Sequence, residues 1–129
     1  MIGIIGAMDV EIENIIKNMT DTQSGEISSV TYTKGKLRGK DVVCAVCGIG
    51  KVFAAICTQT MILRYKPEII INTGIAGSLS SDLHVCDTVV AESLVQHDMD
   101  TSPIGDPVGL VSKINLVEIP CDACLRAKL

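Results

Sequence analysis

The sequence predicts an α/β fold, a mixed sheet flanked by helices, and three observations predict it. Apolar strands end in glycine turns at three places: Gly6 after Ile2–Ile5, Gly48 and Gly50 after Val42–Cys47, and Gly74 and Gly77 after Ile69–Asn72. A strand-helix-strand order over residues 41–72 implies parallel neighbours joined by a right-handed crossover. Between the first and second of these strands lies a polar, alternating stretch of the kind that makes antiparallel hairpins. In parallel sheets, ligands lie beyond the carboxyl ends of the strands. All three glycine turns are at such ends, so the sequence predicts one pocket at one sheet edge before it predicts a reaction.

Met1 to Ile5 is the first strand. A helix follows from about Asp9 to Met19, with Ile12, Ile15, Ile16 and Met19 at the three- and four-residue spacing of one buried stripe. Asp9 and Glu11 lie in its first turn, where the helix dipole favours negative charge. Glu11 is therefore either a helix-end charge or an acid group aimed at the sheet edge. Thr20 to Gly25 is polar and turn-like. Ile27 to Thr33 alternates as a strand, Lys34-Gly35 is a candidate turn, and Gly39-Lys40 turns into an apolar strand from Asp41 to Cys47. A second helix spans about Lys51 to Tyr65. Its apolar residues, Phe53 to Cys57 and Met61 to Leu63, cover most of its circumference and predict burial on several sides. Pro67 blocks further helix, and Glu68–Asn72 is a β-branched strand. Val85 to Glu92 reads as a strand, extended by Ser93 to Gln96. Residues 98–109 carry Pro103, Gly105, Pro107 and Gly109 and read as loop. Val111 to Ile119 is strand or surface segment, and Pro120 to Leu129 has helical character.

Composition narrows the chemistry. The chain has 129 residues, enough for one domain with its own core. Aromatics make up 2% and the formal charge is −4, which disfavours nucleic-acid binding by stacking or by phosphate contacts. No apolar run reaches the length of a membrane span. The apolar N-terminus runs into Asp9 and Glu11 without the basic flank of a signal peptide, so a cytoplasmic protein is expected. Cys44-x-x-Cys47 and Cys121-x-x-Cys124 have metal-ligand spacing. However, Cys44 lies in a strand, where side chains three apart point to opposite faces, and no metal site is expected. His97 beside Asp98 reads as a polar cluster, and His84 as a surface residue.

The turns fail two phosphate motifs. Gly48-Ile49-Gly50-Lys51-Val52-Phe53 ends in Phe where a dinucleotide fingerprint needs Gly or Ala, and Lys51 is followed by Val where a P-loop needs Ser or Thr. The first and third turns carry no Arg, the usual partner of a phosphate dianion, and Asp9 and Glu11 would repel one. These turns are therefore poorly suited to holding a phosphate dianion.

Taken together, Gly3-Ile4-Ile5-Gly6-Ala7-Met8-x-x-Glu11, Gly48-Ile49-Gly50-Lys51-Val52, Ile71-Asn72-Thr73-Gly74-x-Ala76-Gly77 and His97-Asp98-x-Asp100 resemble the 5′-methylthioadenosine/S-adenosylhomocysteine nucleosidases of the nucleoside phosphorylase superfamily. The resemblance covers nearly the whole chain. It implies hydrolysis of the N-glycosidic bond between adenine and a 5′-thio-substituted ribose by a cytosolic homodimer with no metal or organic cofactor. Glu11 would match the carboxylate that deprotonates the attacking water. Met8 and Ile49 would line the ribose and 5′-substituent region, and Ala76 and Gly77 the turn beneath purine and sugar. The Thr101–Pro107 loop would reach the neighbouring subunit's 5′-pocket. The chain departs from the family at Ile75, where some relatives carry a Ser that helps position water.

Family members run well beyond residue 129. The resemblance therefore implies a single domain, 1–129, incomplete at its C-terminus. It lacks the Asp that protonates the purine, the Glu that grips the ribose and the stacking aromatic, so little or no activity is expected of the isolated chain. A phosphorylase, another nucleoside hydrolase of this fold (one acting on futalosine, for example), and a non-catalytic dimerising remnant are the alternatives.

Overall fold

The computed structural model describes residues 1–128, which form two compact units, one of residues 1–77 and one beginning at Ser78. The first unit is a five-stranded mixed sheet. Its strands are β1 (Ile2–Gly6), β2 (Thr20–Ile27), β3 (Val30–Leu37), β4 (Lys40–Val46) and β5 (Ile69–Asn72), in the spatial order β2-β3-β4-β1-β5. β1 runs parallel to both β4 and β5, while β2, β3 and β4 form an antiparallel meander. The helices are α1 (Asp9–Lys17) and α2 (Lys51–Tyr65).

Strand alternation splits the core in two. On one face Ile4, Val42 and Cys44 pack with Ile12 of α1 and with Met19. On the other, Ile5, Val43, Ala45 and Cys47 pack with Cys57 and Met61 of α2 and with Tyr32. Cys44 and Cys47 thus lie on opposite faces of the sheet, as their spacing requires. Two glycines let the helices approach. A Cβ on Gly3 would stand 2.5 Å from Met61 Sδ, and one on Gly6 would stand 2.6 Å from Ile12 Cγ1. Tyr32 donates its hydroxyl to the Cys57 carbonyl at 3.2 Å, and burial holds its ionisation up at about 12.

Four expectations are corrected. Thr20–Gly25 is not a turn but most of edge strand β2; its side chains are exposed, so it shows no apolar alternation. Lys34-Gly35 lies inside β3, and the hairpin turn is at Ser28-Ser29, both with positive φ, where a two-residue loop matches the strand twist. Val85–Glu92 forms no strand. Cys86 has φ +79°, which interrupts an extended run, and the strand is Ser93–Val95 instead. Finally, α2 is buried along only one stripe. Cys57 and Met61 are inaccessible, whereas Val52, Phe53, Ile56 and Leu63 are exposed, because the sheet covers only one side of the helix.

The second unit is sparser. β6 (Ser93–Val95) pairs antiparallel with β7 (Glu118–Pro120), and a bridge joins Val111 to Leu116. A 3₁₀ turn spans Ser102–Ile104. The short helix α3 (Ala123–Arg126) is capped by Asp122, whose carboxylate accepts the Leu125 N–H at 2.9 Å. Arg126 pairs with Glu92 at 2.6 Å. His97 and His84 are exposed, and His84 lies 3.7 Å from Asp87. Among the described residues no helix is long and apolar enough to cross a membrane, and no group of three metal-ligating side chains gathers.

Candidate active site

The parallel order β4-β1-β5 puts all three glycine turns at one end of the sheet. Backbone bonds tie them together: Cys47 N–H donates to Gly6 O at 2.8 Å, and Thr73 N–H donates to Ile5 O at 2.9 Å. The first turn closes quickly because Gly6 leaves room for Ile12, so only two residues separate β1 from α1. Met8 is the N-cap in extended conformation, and Glu11 occupies the third helical position. From there a glutamate reaches back to the N-cap backbone, as in half of a capping box.

Glu11 does more than cap. Its Oε2 accepts the N–H groups of Ala7 at 2.7 Å and Met8 at 2.9 Å. Its Oε1 accepts the Ile75 N–H at 2.9 Å, from the third turn. These donors, Ile75 first and then Met8, hold its ionisation below the ordinary 4.5 against a smaller opposing effect of burial. The Cys47 thiol is pushed up, chiefly by its own burial and to a lesser degree by the Glu11 charge. The carboxylate faces an open cleft of about 340 Å³ lined by Val10, Glu11, Thr73, Gly74 and Ile75. The arrangement can hold an ionised carboxylate at a cleft floor, with lone pairs left over for a water.

Of the residues singled out in the sequence, the structure brings Glu11 to the third turn; Met8 joins the site through its backbone N–H on the Glu11 carboxylate and does not line the cleft. Ala76 and Gly77 follow directly and are exposed. Ile49 stands exposed on the second turn and does not line the cleft. Sequence reasoning missed Gly74 and the Ile75 N–H. Ile75 stood out only for its side chain, and a backbone donor leaves no residue-type signal.

Because the native Glu11 ionises more readily than an unfolded glutamate, it stabilises the fold above pH 4.5, and that contribution is lost as pH falls through its lowered folded value. Asp41 and Asp100 are also held low, by Lys36 and by Ser102 respectively, and act in the same direction. Urea melts at pH 7 and in acid are expected to show wild type losing stability on acidification, and Glu11→Gln losing less. Equal losses would mean the N–H contacts contribute nothing.

A mixed sheet with two of its strand-end turns meeting on one carboxylate defines a class, and the sequence confirms it: residues 1–129 match the Phosphorylase superfamily, and the chain belongs to it. Within that class the chain is similar to the 5′-methylthioadenosine/S-adenosylhomocysteine nucleosidase of Shewanella loihica, with 39% identity over 112 residues, covering 87% of this chain and 49% of that protein. Among solved structures it resembles the nucleosidase of that name from Colwellia psychrerythraea in complex with adenine. The TM-score is 0.94 and the identity 36%, over 98% of this chain and 52% of the other. It also resembles the futalosine hydrolase of Helicobacter pylori, with TM-score 0.91 and 35% identity over 98% of this chain and 54% of that one. The chain spans about half the length of the relatives it matches.

Proposed function

We propose that this chain carries the water-activating half of an N-glycosyl hydrolase that releases adenine from 5′-methylthioadenosine and S-adenosylhomocysteine. One observation carries the reading: Glu11 is held ionised by N–H donors from two strand ends at the cleft that the superfamily fold presents. Departure of a purine leaves an oxocarbenium-like ribosyl cation. Glu11 orients a water against it and takes the proton as the new C–O bond forms. A carboxylate held low is a weak base toward free water, but the water turns acidic as it adds to a cation. The first and third turns carry no Arg to hold phosphate, which supports hydrolysis over phosphorolysis. Met8 and Ile49 flank the ribose and 5′-substituent; Ile49, 75% exposed, offers an apolar side chain suited to a thioether. Ala76 and Gly77 lie under purine and sugar. The reaction needs no metal or organic cofactor, and the protein works in the cytoplasm with a nucleoside substrate, engaging neither nucleic acid nor membrane.

The test is a chimera that joins residues 1–129 to the remaining part of the S. loihica relative, assayed for adenine release with and without phosphate. Phosphate-independent release is expected; a folded chimera that releases none, or only with phosphate, would overturn the reading. The similarity to the H. pylori hydrolase supports a second substrate reading, and adding futalosine to the assay separates the two.

We further propose that the protein is a homodimer through the outer face of α2, with the Thr101–Pro107 loop serving the partner's 5′-pocket. Val52, Phe53, Ile56 and Leu63 share one helical face, opposite the stripe of Ala54, Cys57, Met61 and Tyr65 that packs on the sheet core. A contiguous apolar face of this kind marks an interaction surface. Sedimentation is expected to give a dimer for wild type and a monomer for Phe53→Glu. A monomeric wild type, or a dimeric variant, would remove α2 from the interface.

A further inference from the structure

We propose that Gly74 is a positioning residue for the Glu11 carboxylate: the missing side chain at 74 lets the carboxylate lie against the third turn and reach N–H donors on two strand ends at once. A Cβ built on Gly74 would stand 2.5 Å from Glu11 Oε1, 2.8 Å from Cδ and 3.1 Å from Oε2. The three nearest atoms all belong to that one carboxylate. Conformation does not demand the glycine, because its φ is outside the positive range occupied by Gly48 and Gly50. The requirement is for space. Gly77, three residues on in the same turn, would meet nothing within 4 Å if it carried a Cβ. The two glycines look alike in the sequence and differ in the structure.

The obstructing group is the end of a flexible side chain, so a methyl at 74 displaces the carboxylate and leaves the backbone in place. Once displaced, Oε1 loses the Ile75 N–H, the contact that joins the third turn to Glu11. Gly74 thus acts on the reaction through Glu11. Its catalytic meaning rests on the hydrolase reading above, but its geometry does not.

The experiment is an NMR titration of the full chain, following the Glu11 side-chain carboxyl carbon and the Ile75 amide in wild type and Gly74→Ala. In wild type both signals are expected to share one midpoint below that of an ordinary glutamate. In Gly74→Ala the Glu11 midpoint is expected to rise toward the ordinary value and the Ile75 amide to stop following it, with a small fall in the neutral-pH melting temperature as the stabilisation tied to that contact is lost. An unchanged midpoint with the Ile75 response intact would overturn the proposal. Should Gly74→Ala fail to fold, Gly74→Ala combined with Glu11→Asp decides, since the shorter acid withdraws from the added methyl. Rescue of folding supports the clash with Glu11, and failure to rescue places it elsewhere and refutes the assignment. An inactive chimera would defeat the hydrolase reading while leaving this titration unaffected.

Discussion

In the chimera with a relative's second half, Glu11→Gln is expected to lower the rate of adenine release by about 10²- to 10⁴-fold, the usual contribution of a positioned general base. The substitution keeps the shape of the side chain and removes two properties. No group remains to accept the water's proton. The amide NH₂ must also face a backbone N–H, either Ile75's on one side or those of Ala7 and Met8 on the other, because both carboxylate oxygens are acceptors in the native site. The loss should fall mainly on kcat, since the contact with the attacking water matters most in the transition state. Glu11→Asp keeps the charge but shortens the reach, and should retain part of the rate. A Glu11→Gln chimera with unaltered kcat would eliminate Glu11 as the base, even if adenine release itself were confirmed.

The second large effect is structural. Ile12→Ala is expected to destabilise the fold by about 2–5 kcal/mol, the cost of emptying a well-packed aliphatic site. Ile12 is fully buried, and it is the α1 residue that fills the space left by Gly6. Domains of this size hold only about 5–15 kcal/mol in total, so the loss is a large fraction. Because Ile12 follows Glu11, a loosened α1 also loosens the carboxylate, and the Ala7 and Met8 N–H contacts should weaken with it. Urea unfolding measures the first effect and amide exchange at Ala7 and Met8 the second. Val10→Ala, on the exposed side of the same helix, is the comparison and should change stability by less than about 0.5 kcal/mol. A cost for Ile12→Ala no greater than for Val10→Ala would show that α1 is not anchored through this contact.

Both expectations begin from residues that stand out in the amino-acid sequence, for different reasons. Ile12 is legible because helical periodicity is local: Ile12, Ile15, Ile16 and Met19 mark one stripe whatever lies beneath it. The central strands are legible for the same reason, since β1 and β4 are buried over most of their length and read as apolar runs; β5, a half-buried edge strand, is legible from its β-branched run alone. Where burial is one-sided or absent, the reading fails. β2 is an edge strand with exposed polar side chains and looks like a turn. α2 carries apolar residues all round and looks buried on several sides, yet the sheet covers only the stripe of Cys57 and Met61. Sequence shows what a segment could bury and says nothing of what is there to bury it.

The candidate site divides the same way. That three strands end in glycine turns, that Glu11 sits in the first helical turn and that the first and third turns lack arginine are properties of the chain read in order. The order β4-β1-β5, which sets those turns side by side, is long-range. So is the Ile75 N–H, 64 residues from Glu11, because a backbone amide is the same at every position and acquires a role only when folding aims it. Gly74 and Gly77 mark the boundary most sharply. By sequence they are two glycines of one turn; only the packed structure, by laying a carboxylate against one and open space against the other, determines which of them the site needs.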